Sequence, residues 1–176
     1  MKKIIALGGS NSKNSINKQL AHYTAGLLSN SDSILLDLTD YAVPLYGIDL
    51  EEEEGIPENA IKLARLILKA DGIIISLAEH NGAYSAVFKN LFDWISREEG
   101  KVFETTPILL LSASPGGRGG QSVMDIALER FPRHGATIVE SMTFPNFYDN
   151  FKEGKIVNQE LETTLLSKIT VFEKAI

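Results

Sequence analysis

The chain has 176 residues, of which 44% are hydrophobic and 23% charged, and these values suit one globular domain spanning residues 1–176. Its formal net charge of −6 disfavours nucleic acid as a partner, and the absence of cysteine excludes disulfides and thiolate chemistry within the chain. No apolar stretch approaches the roughly 20 residues of a membrane span, so we expect a cytoplasmic protein without a membrane partner.

Short apolar segments alternate with helical patterns along the chain. Strands are predicted at residues 3–8, 33–38, 72–77, 106–112 and 136–139, and helices at about 15–28, 57–70, 85–97, 121–133 and 159–174. The third and fourth strands show no polar alternation, which is typical of parallel strands covered by helices on both faces. The order predicts an α/β fold with a flavodoxin-like, doubly wound, five-stranded parallel sheet in a three-layer α/β/α sandwich.

Two other segments have weaker patterns. Residues 39–55 are expected to be the longest stretch without regular structure, and their acidic run Glu51–Glu54 is interpreted as solvated surface. A small hairpin around Gly154 is expected at residues 151–157. The three histidines lack metal-ligand spacing, so no metal site is predicted.

The segment Gly9–Asn17 joins the first strand to the first helix. A helix N-terminus exposes unpaired N–H groups with partial positive charge, and the serine hydroxyls and asparagine amides of this segment add neutral donors. The segment lacks both the P-loop pattern and Gly-x-Gly-x-x-Gly, so one terminal phosphate is the better fit. The alternative is a polar turn in which Ser15 caps the helix.

Two further loops follow the third and fourth strands, and ligands of open parallel sheets bind beyond such carboxyl ends. In loop 78–84, Asn81-Gly82 can form a tight turn facing a planar heterocycle or a simple surface turn, and His80 is either an acid–base group or an exposed residue. The glycine-rich loop 113–120 permits close backbone approach, with surface flexibility as the alternative; its Arg118 could meet an anion.

These motifs together resemble the NADPH-dependent FMN reductase family of flavodoxin-like proteins. Its first loop, Gly-Ser-x-Arg-x-x-Ser-x-Asn, is similar to Gly9–Asn17, with Ser12 in place of the arginine. Its second loop, Pro-Glu-Tyr-Asn-Gly-Ser, is similar to Ala78–Ala83, and its helix Leu-Lys-Asn-x-Ile-Asp-Trp to Phe88–Trp94. The resemblance covers residues 2 to about 140.

The resemblance implies a site for FMN. The phosphate end would be bound by the first loop, through Ser10, Ser12, Lys13, Ser15, Ile16 and Asn17. The ring would be bordered by the other two loops, through Glu79, His80, Asn81, Gly82, Ser114, Gly116 and Gly117. With Ser12 in place of the arginine, the phosphate site lacks a guanidinium group that could donate two hydrogen bonds. Lys13 could replace part of its charge. His80 stands where the family has tyrosine, which changes the ring-side surface.

The resemblance also implies an activity. An FMN-dependent NAD(P)H oxidoreductase would pass electrons from the nicotinamide through FMN to a quinone, azo or nitro compound, metal oxyanion or free flavin. No catalytic side chain is obligatory, and Glu79, His80 and Asn81 would tune the flavin. A homodimer or homotetramer is expected, with subunit contact on the helix carrying Phe88, Phe92 and Trp94. The alternatives are a non-catalytic flavodoxin-like electron carrier or FMN-binding module, and a flavin-free regulatory module.

Overall fold

A computed structural model describes residues 1–99 and 101–176. The strands are β1 (Lys2–Gly9), β2 (Ser31–Leu36), β3 (Gly72–His80), β4 (Ala83–Tyr84), β5 (Pro107–Ala113), β6 (Thr137–Phe144), β7 (Phe151–Lys152) and β8 (Lys155–Ile156). Five of them form a parallel sheet in the order β2-β1-β3-β5-β6. This order confirms the predicted flavodoxin-like sheet. The short β4 pairs with β3 in antiparallel fashion, and β7 and β8 form the predicted hairpin.

Helices cover both faces of the parallel sheet. They are α1 (Ile16–Gly26), α2 (Ile48–Glu54), α3 (Glu58–Leu68), α4 (Ala86–Glu99), α5 (Gln121–Arg130), α6 (Phe147–Asn150) and α7 (Gln159–Ala175). On one face, α3, α4 and α5 pack against β1, β3 and β5, while α1 and α7 cover the other face. The molecule is therefore the expected three-layer sandwich.

The central strands carry the core because their side chains alternate between the two helical layers. On β3, Ile73 and Ile75 point into the layer of α3 and α4, and Ile74 points towards α1 and α7. All three are at most 2% exposed. Fully burying a side chain of this size contributes about 1.5–3 kcal/mol, so unbroken apolar strands are what a doubly covered sheet requires.

Several element boundaries differ from the sequence prediction. Strand β2 begins at Ser31 and ends at Leu36, and Leu38 instead opens a 3-10 helix over Leu38–Tyr41. Strand β6 continues to Phe144 instead of ending at residue 139, because its last residues pair with β5 up to Ala113. The helix predicted at 121–133 ends at Arg130, where a 3-10 helix over Phe131–His134 follows.

The prediction of an unstructured segment over residues 39–55 is wrong, because α2 occupies Ile48–Glu54. Glu51 is not simply solvated: its carboxylate accepts hydrogen bonds from Arg97 Nε at 2.9 Å and from the Tyr46 hydroxyl at 3.0 Å. These contacts attach α2 to α4, while Glu52, Glu53 and Glu54 are exposed as expected. The acidic run thus forms one side of a tertiary contact.

The aromatic residues of α4 belong to the monomer core. Phe88 and Phe92 are each 7% exposed, Trp94 is fully buried, and the Trp94 indole donates to the Pro44 carbonyl at 2.8 Å. Subunit contact on α4 stays a prediction, and these three side chains are themselves buried within the monomer. Their helical spacing reflects packing onto the sheet.

None of the helices in the described part of the chain is long and apolar enough to cross a membrane.

The ion pair between Lys18 and Asp37 links α1 to the segment after β2. The Lys18 ammonium lowers the pKa of Asp37 from 3.8 to about 2, assisted by hydrogen bonds from Thr39. A depressed carboxyl pKa stabilises the fold above the unfolded value and loses that stabilisation as pH falls through the folded value.

We expect Asp37→Asn to lower the free energy of unfolding by about 1–2 kcal/mol at pH 7, allowing for partial solvent screening. The deficit should shrink between pH 4 and pH 2. Urea denaturation at pH 7 and near pH 2 measures it, with Asp40→Asn, which removes an exposed carboxyl of the same turn, as control. A deficit of the same size at both pH values would contradict the assignment.

Candidate functional site

A cavity of about 200 Å³ opens at the carboxyl edge of the sheet, where β1, β3 and β5 end. The three loops that the sequence placed at one site all contribute to it. Its lining residues are Ser10, Ser12, Asn14, Ser15, Ile16, Asn17, Ala78, Glu79, His80, Ala113, Ser114, Pro115 and Tyr148. The cavity therefore lies where open parallel sheets bind ligands.

The first loop is held close to the sheet by Gly8. A Cβ atom there would lie 2.3 Å from the backbone nitrogen of Lys18, so only glycine lets α1 approach β1 this closely. Ser15 caps α1, its hydroxyl accepting from the Lys18 N–H at 3.1 Å. The backbone N–H groups of Ile16 and Asn17 donate to no acceptor in the described part of the chain. Capping by Ser15 and phosphate binding are thus compatible, because the capped helix still presents these two N–H groups as hydrogen-bond donors at the cavity.

The side chain of Asn17 has an internal role. Its Oδ1 accepts from the Ser76 hydroxyl at 2.7 Å and from the Ala113 N–H at 2.8 Å, and its Nδ2 donates to the Ala113 carbonyl at 3.1 Å. Asn17 is only 2% exposed. This amide joins α1 to β3 and β5, and phosphate contact by Asn17 stays a prediction that its backbone N–H can fulfil.

The second loop is a β-hairpin, which extends β3 by three residues beyond the predicted strand end. Asn81 and Gly82 have φ values of 52° and 78°, the left-handed pair that a two-residue type I′ turn requires. His80 is exposed at the hairpin end, and Glu79 faces the cavity. The predicted tight turn is present, as the tip of a hairpin.

Glu79 also caps α5. Its carboxylate accepts from the backbone N–H groups of Ser122 at 2.9 Å and Val123 at 3.2 Å. The residue before this helix, Gly120, has no side chain that could do so. A carboxylate is well placed at a helix N-terminus, so Glu79 joins the second loop to the third.

The third loop is constrained by glycine at two positions. Gly119 and Gly120 have φ values of 60° and 81°, and a Cβ atom at Gly119 would lie 2.9 Å from the Phe144 backbone. Gly116 and Gly117 are exposed, and no neighbouring atom lies closer than 3.8 Å to a Cβ atom built on either. The glycines that geometry requires are therefore the two next to α5, further along the loop than the pair predicted to face the ring.

Among the residues that the structure describes, no lysine or arginine lines the cavity. Glu79 is the acidic residue of its lining, while Lys13 is exposed outside that lining and Lys18 is paired with Asp37. Arg118 is also exposed and donates to the Ser122 hydroxyl at 3.3 Å. An anionic group in the cavity would be bound mainly by hydroxyls and backbone N–H groups.

The structure brings most of the predicted site residues together. The cavity lining includes Ser10, Ser12, Ser15, Ile16, Asn17, Glu79, His80 and Ser114, and leaves out Lys13, Asn81, Gly82, Gly116 and Gly117. Sequence reasoning missed Tyr148, which the segment after β6 delivers to the cavity. The strand β6 was predicted to end at residue 139. Its carboxyl end at Phe144 was therefore not recognised as another source of site residues.

Fold and cavity together define a flavodoxin-like α/β protein whose ligand site is built from the loops after β1, β3 and β5. The family model for NADPH-dependent FMN reductase matches residues 2–149. The chain belongs to that family.

Individual relatives agree with this assignment. A quinone reductase of Escherichia coli K12 is 32% identical over 120 residues, which are 67% of this chain and 63% of that protein. A 2-hydroxy-1,4-benzoquinone reductase of a Burkholderia species is 36% identical over 119 residues, which are 66% of this chain and 63% of that protein. The match thus spans less than two thirds of either relative.

The fold itself recurs in a solved structure. The flavoenzyme NAD(P)H:(acceptor) oxidoreductase FerB from Paracoccus denitrificans is 22% identical, with a TM-score of 0.75 and 99% of both chains covered. At this identity the likeness supports the flavodoxin-like fold, in agreement with the strand order.

Removing the Asn17 amide should destabilise the protein. In Asn17→Ala the Ser76 hydroxyl and the Ala113 N–H lose their buried acceptor, which should cost about 2–3 kcal/mol. Urea denaturation measures this loss, and Asn11→Ala, a change at an exposed position of the same loop, is the matched control. A loss below about 0.5 kcal/mol, similar to that of an ordinary surface substitution, would show that the hydrogen bonds of the Asn17 side chain are not needed for stability.

Proposed function

We propose that the chain is a single FMN-binding domain and acts as an FMN-dependent NAD(P)H oxidoreductase. The observation that carries this proposal is the convergence of the three loops after β1, β3 and β5 on one cavity at the switch point of the sheet. Family membership supports it, as do the reductase names of the Escherichia coli and Burkholderia relatives.

The donors of the first loop fit a phosphate monoester. Hydroxyls of Ser10, Ser12 and Ser15 lie at the cavity together with the free N–H groups of Ile16 and Asn17. Neutral donors at a helix N-terminus bind phosphate without a cation. The phosphate end of FMN would therefore be held by loop one, as the resemblance implies, with Lys13 contributing at longer range.

The other two loops would hold the ring. When bound, FMN supplies hydride acceptance from a nicotinamide and electron delivery to a second substrate. The hairpin and the loop after β5 would orient the ring, with His80 and Ser114 at its edge. Glu79 accepts two backbone hydrogen bonds from α5, so its role is to fix the site. A quinone, azo or nitro compound, metal oxyanion or free flavin is the proposed acceptor.

A homo-oligomer is part of the same proposal. A groove of about 430 Å³ lies between β4, α4 and α5, on the outer side of the hairpin. In it the Tyr84 hydroxyl is buried without a partner among the described residues, and burial raises the pKa of Tyr84 to about 12. Ile126 of α5 is 37% exposed beside it. We propose a second copy as the occupant of this groove, and sedimentation as a monomer at micromolar concentration would contradict it.

The purified protein should bind FMN, and NADPH should then bleach the flavin absorbance near its visible maximum in stopped-flow measurements. The non-catalytic electron carrier predicts flavin binding without bleaching. The flavin-free regulatory module predicts no binding in a fluorescence titration. Each outcome selects one of the three functions, so the experiment tests the proposal directly.

Lys13→Ala should weaken FMN binding by about two- to threefold at low salt, because an exposed ammonium outside the cavity contributes only screened attraction to the phosphate. Fluorescence titration at two salt concentrations measures it, and the difference should vanish at high salt. Lys69→Ala removes an exposed charge at the far end of α3 and is the control. An unchanged dissociation constant at low salt would remove Lys13 from the site.

A further inference from the structure

Tyr148 is the aromatic residue that lines the candidate site, and nothing in the loop motifs points to it. It lies on α6, after β6, and its ring borders the same cavity as Ser114 and Pro115. The side chain is 64% exposed, although large aromatic rings contribute most when buried. An exposed ring at the rim of a cavity is free to gain contact area from a ligand.

The backbone that carries Tyr148 is firmly anchored. Its neighbour Phe147 is 2% exposed and stacks on Phe151, with ring centroids 4.8 Å apart and an interplanar angle of 21°. Asn146, with a φ of 47°, turns the chain from β6 into α6. With the backbone fixed, only the two χ angles of the tyrosine remain to be ordered on binding.

The anchoring also ties Tyr148 to the ring-side loop. The Phe147 N–H donates to the Ser114 carbonyl at 3.1 Å, and the Asn146 N–H donates to the Gly116 carbonyl at 3.0 Å. Both acceptors belong to the loop expected beside the flavin ring. The backbone next to Tyr148 is therefore hydrogen-bonded to the ring-side loop.

The Tyr148 side chain is available for such a contact. It makes a T-shaped contact with Phe147, with ring centroids 5.8 Å apart and an interplanar angle of 88°, and no aromatic ring of the described chain stacks in parallel on it. Pro115 and Ile16 add apolar surface to the same lining, which includes no lysine or arginine. These surroundings favour a planar aromatic group, and not a second anion, as the ligand portion beside Tyr148.

We propose that Tyr148 is a flavin-contact residue that packs its ring against the flavin ring system at the rim of the cavity. This inference rests on the proposed function, because it takes the cavity to be a flavin site. It assigns to the segment after β6 a part in binding that the three loop motifs do not include.

Equilibrium titration of flavin fluorescence tests the inference without relying on turnover. Dissociation constants are measured for FMN and for riboflavin with the wild-type protein, Tyr148→Ala and Tyr148→Phe, and with Leu45→Ala as control. Leu45 is 82% exposed and lies outside the cavity lining. Tyr148→Ala should weaken binding of both flavins by about tenfold, since ring contact does not depend on the phosphate. Tyr148→Phe and Leu45→Ala should match the wild type.

The other outcomes separate the two hypotheses. If the wild type binds flavin and Tyr148→Ala binds both flavins equally well, the inference is overturned and the proposed function stands. A loss that is confined to FMN and reproduced by Tyr148→Phe would assign the tyrosine hydroxyl to the phosphate and overturn the ring contact. If the wild type binds neither flavin, the proposed function and the inference both fail.

Discussion

One buried amide holds the site together. Asn17 uses its oxygen twice and its nitrogen once to join the N-terminus of α1 to the strands β3 and β5. Hydrogen bonds of this kind are costly to leave unmade in a dry interior, so the three elements keep a fixed relation. The first loop therefore lies at a fixed position beside the cavity, whose lining includes Ala113, the residue that Asn17 holds by two hydrogen bonds.

Glycine and a carboxylate complete this arrangement on its two sides. Gly8 lets α1 lie directly against β1, which brings Asn17 within reach of β5. Glu79 caps α5 from the neighbouring strand end, so the hairpin and the glycine-rich loop are fixed relative to each other. The Glu79 contacts join residues 43 and 44 positions apart in the sequence, and they depend on the register in which β3 lies beside β5.

Sequence reasoning recovered the sheet and the principal site loops because both depend on local patterns. Unbroken apolar runs such as Ile73–Ile75 indicate strands buried on both faces, and small polar residues after them mark the ligand edge. It failed where tertiary contacts decide. Glu51 of α2 meets Arg97 of α4, and the end of β6 pairs with β5, and neither long-range contact can be seen in the local sequence. Tyr148 was missed for the second of these reasons.

The roles of Asn17 and Glu79 could not be predicted from motif position for the same reason. Each lies in a segment expected to touch a ligand, yet each side chain hydrogen-bonds within the protein, Asn17 through its Oδ1 and Glu79 through its Oε2. A motif identifies which residues gather at the strand ends. Whether a side chain points outward to a ligand or sideways to a neighbouring strand is settled by packing.

The capping of α5 by Glu79 distinguishes two kinds of residue at the cavity. Those at its base make internal hydrogen bonds, and those at its rim can be replaced. Base residues are committed to internal hydrogen bonds, so substitution there threatens folding. Rim residues such as His80, Pro115 and Tyr148 are exposed and have few such commitments. Proteins that share this fold can therefore change the side chains that contact a bound ligand by substitutions at the rim. Such substitutions cost little stability.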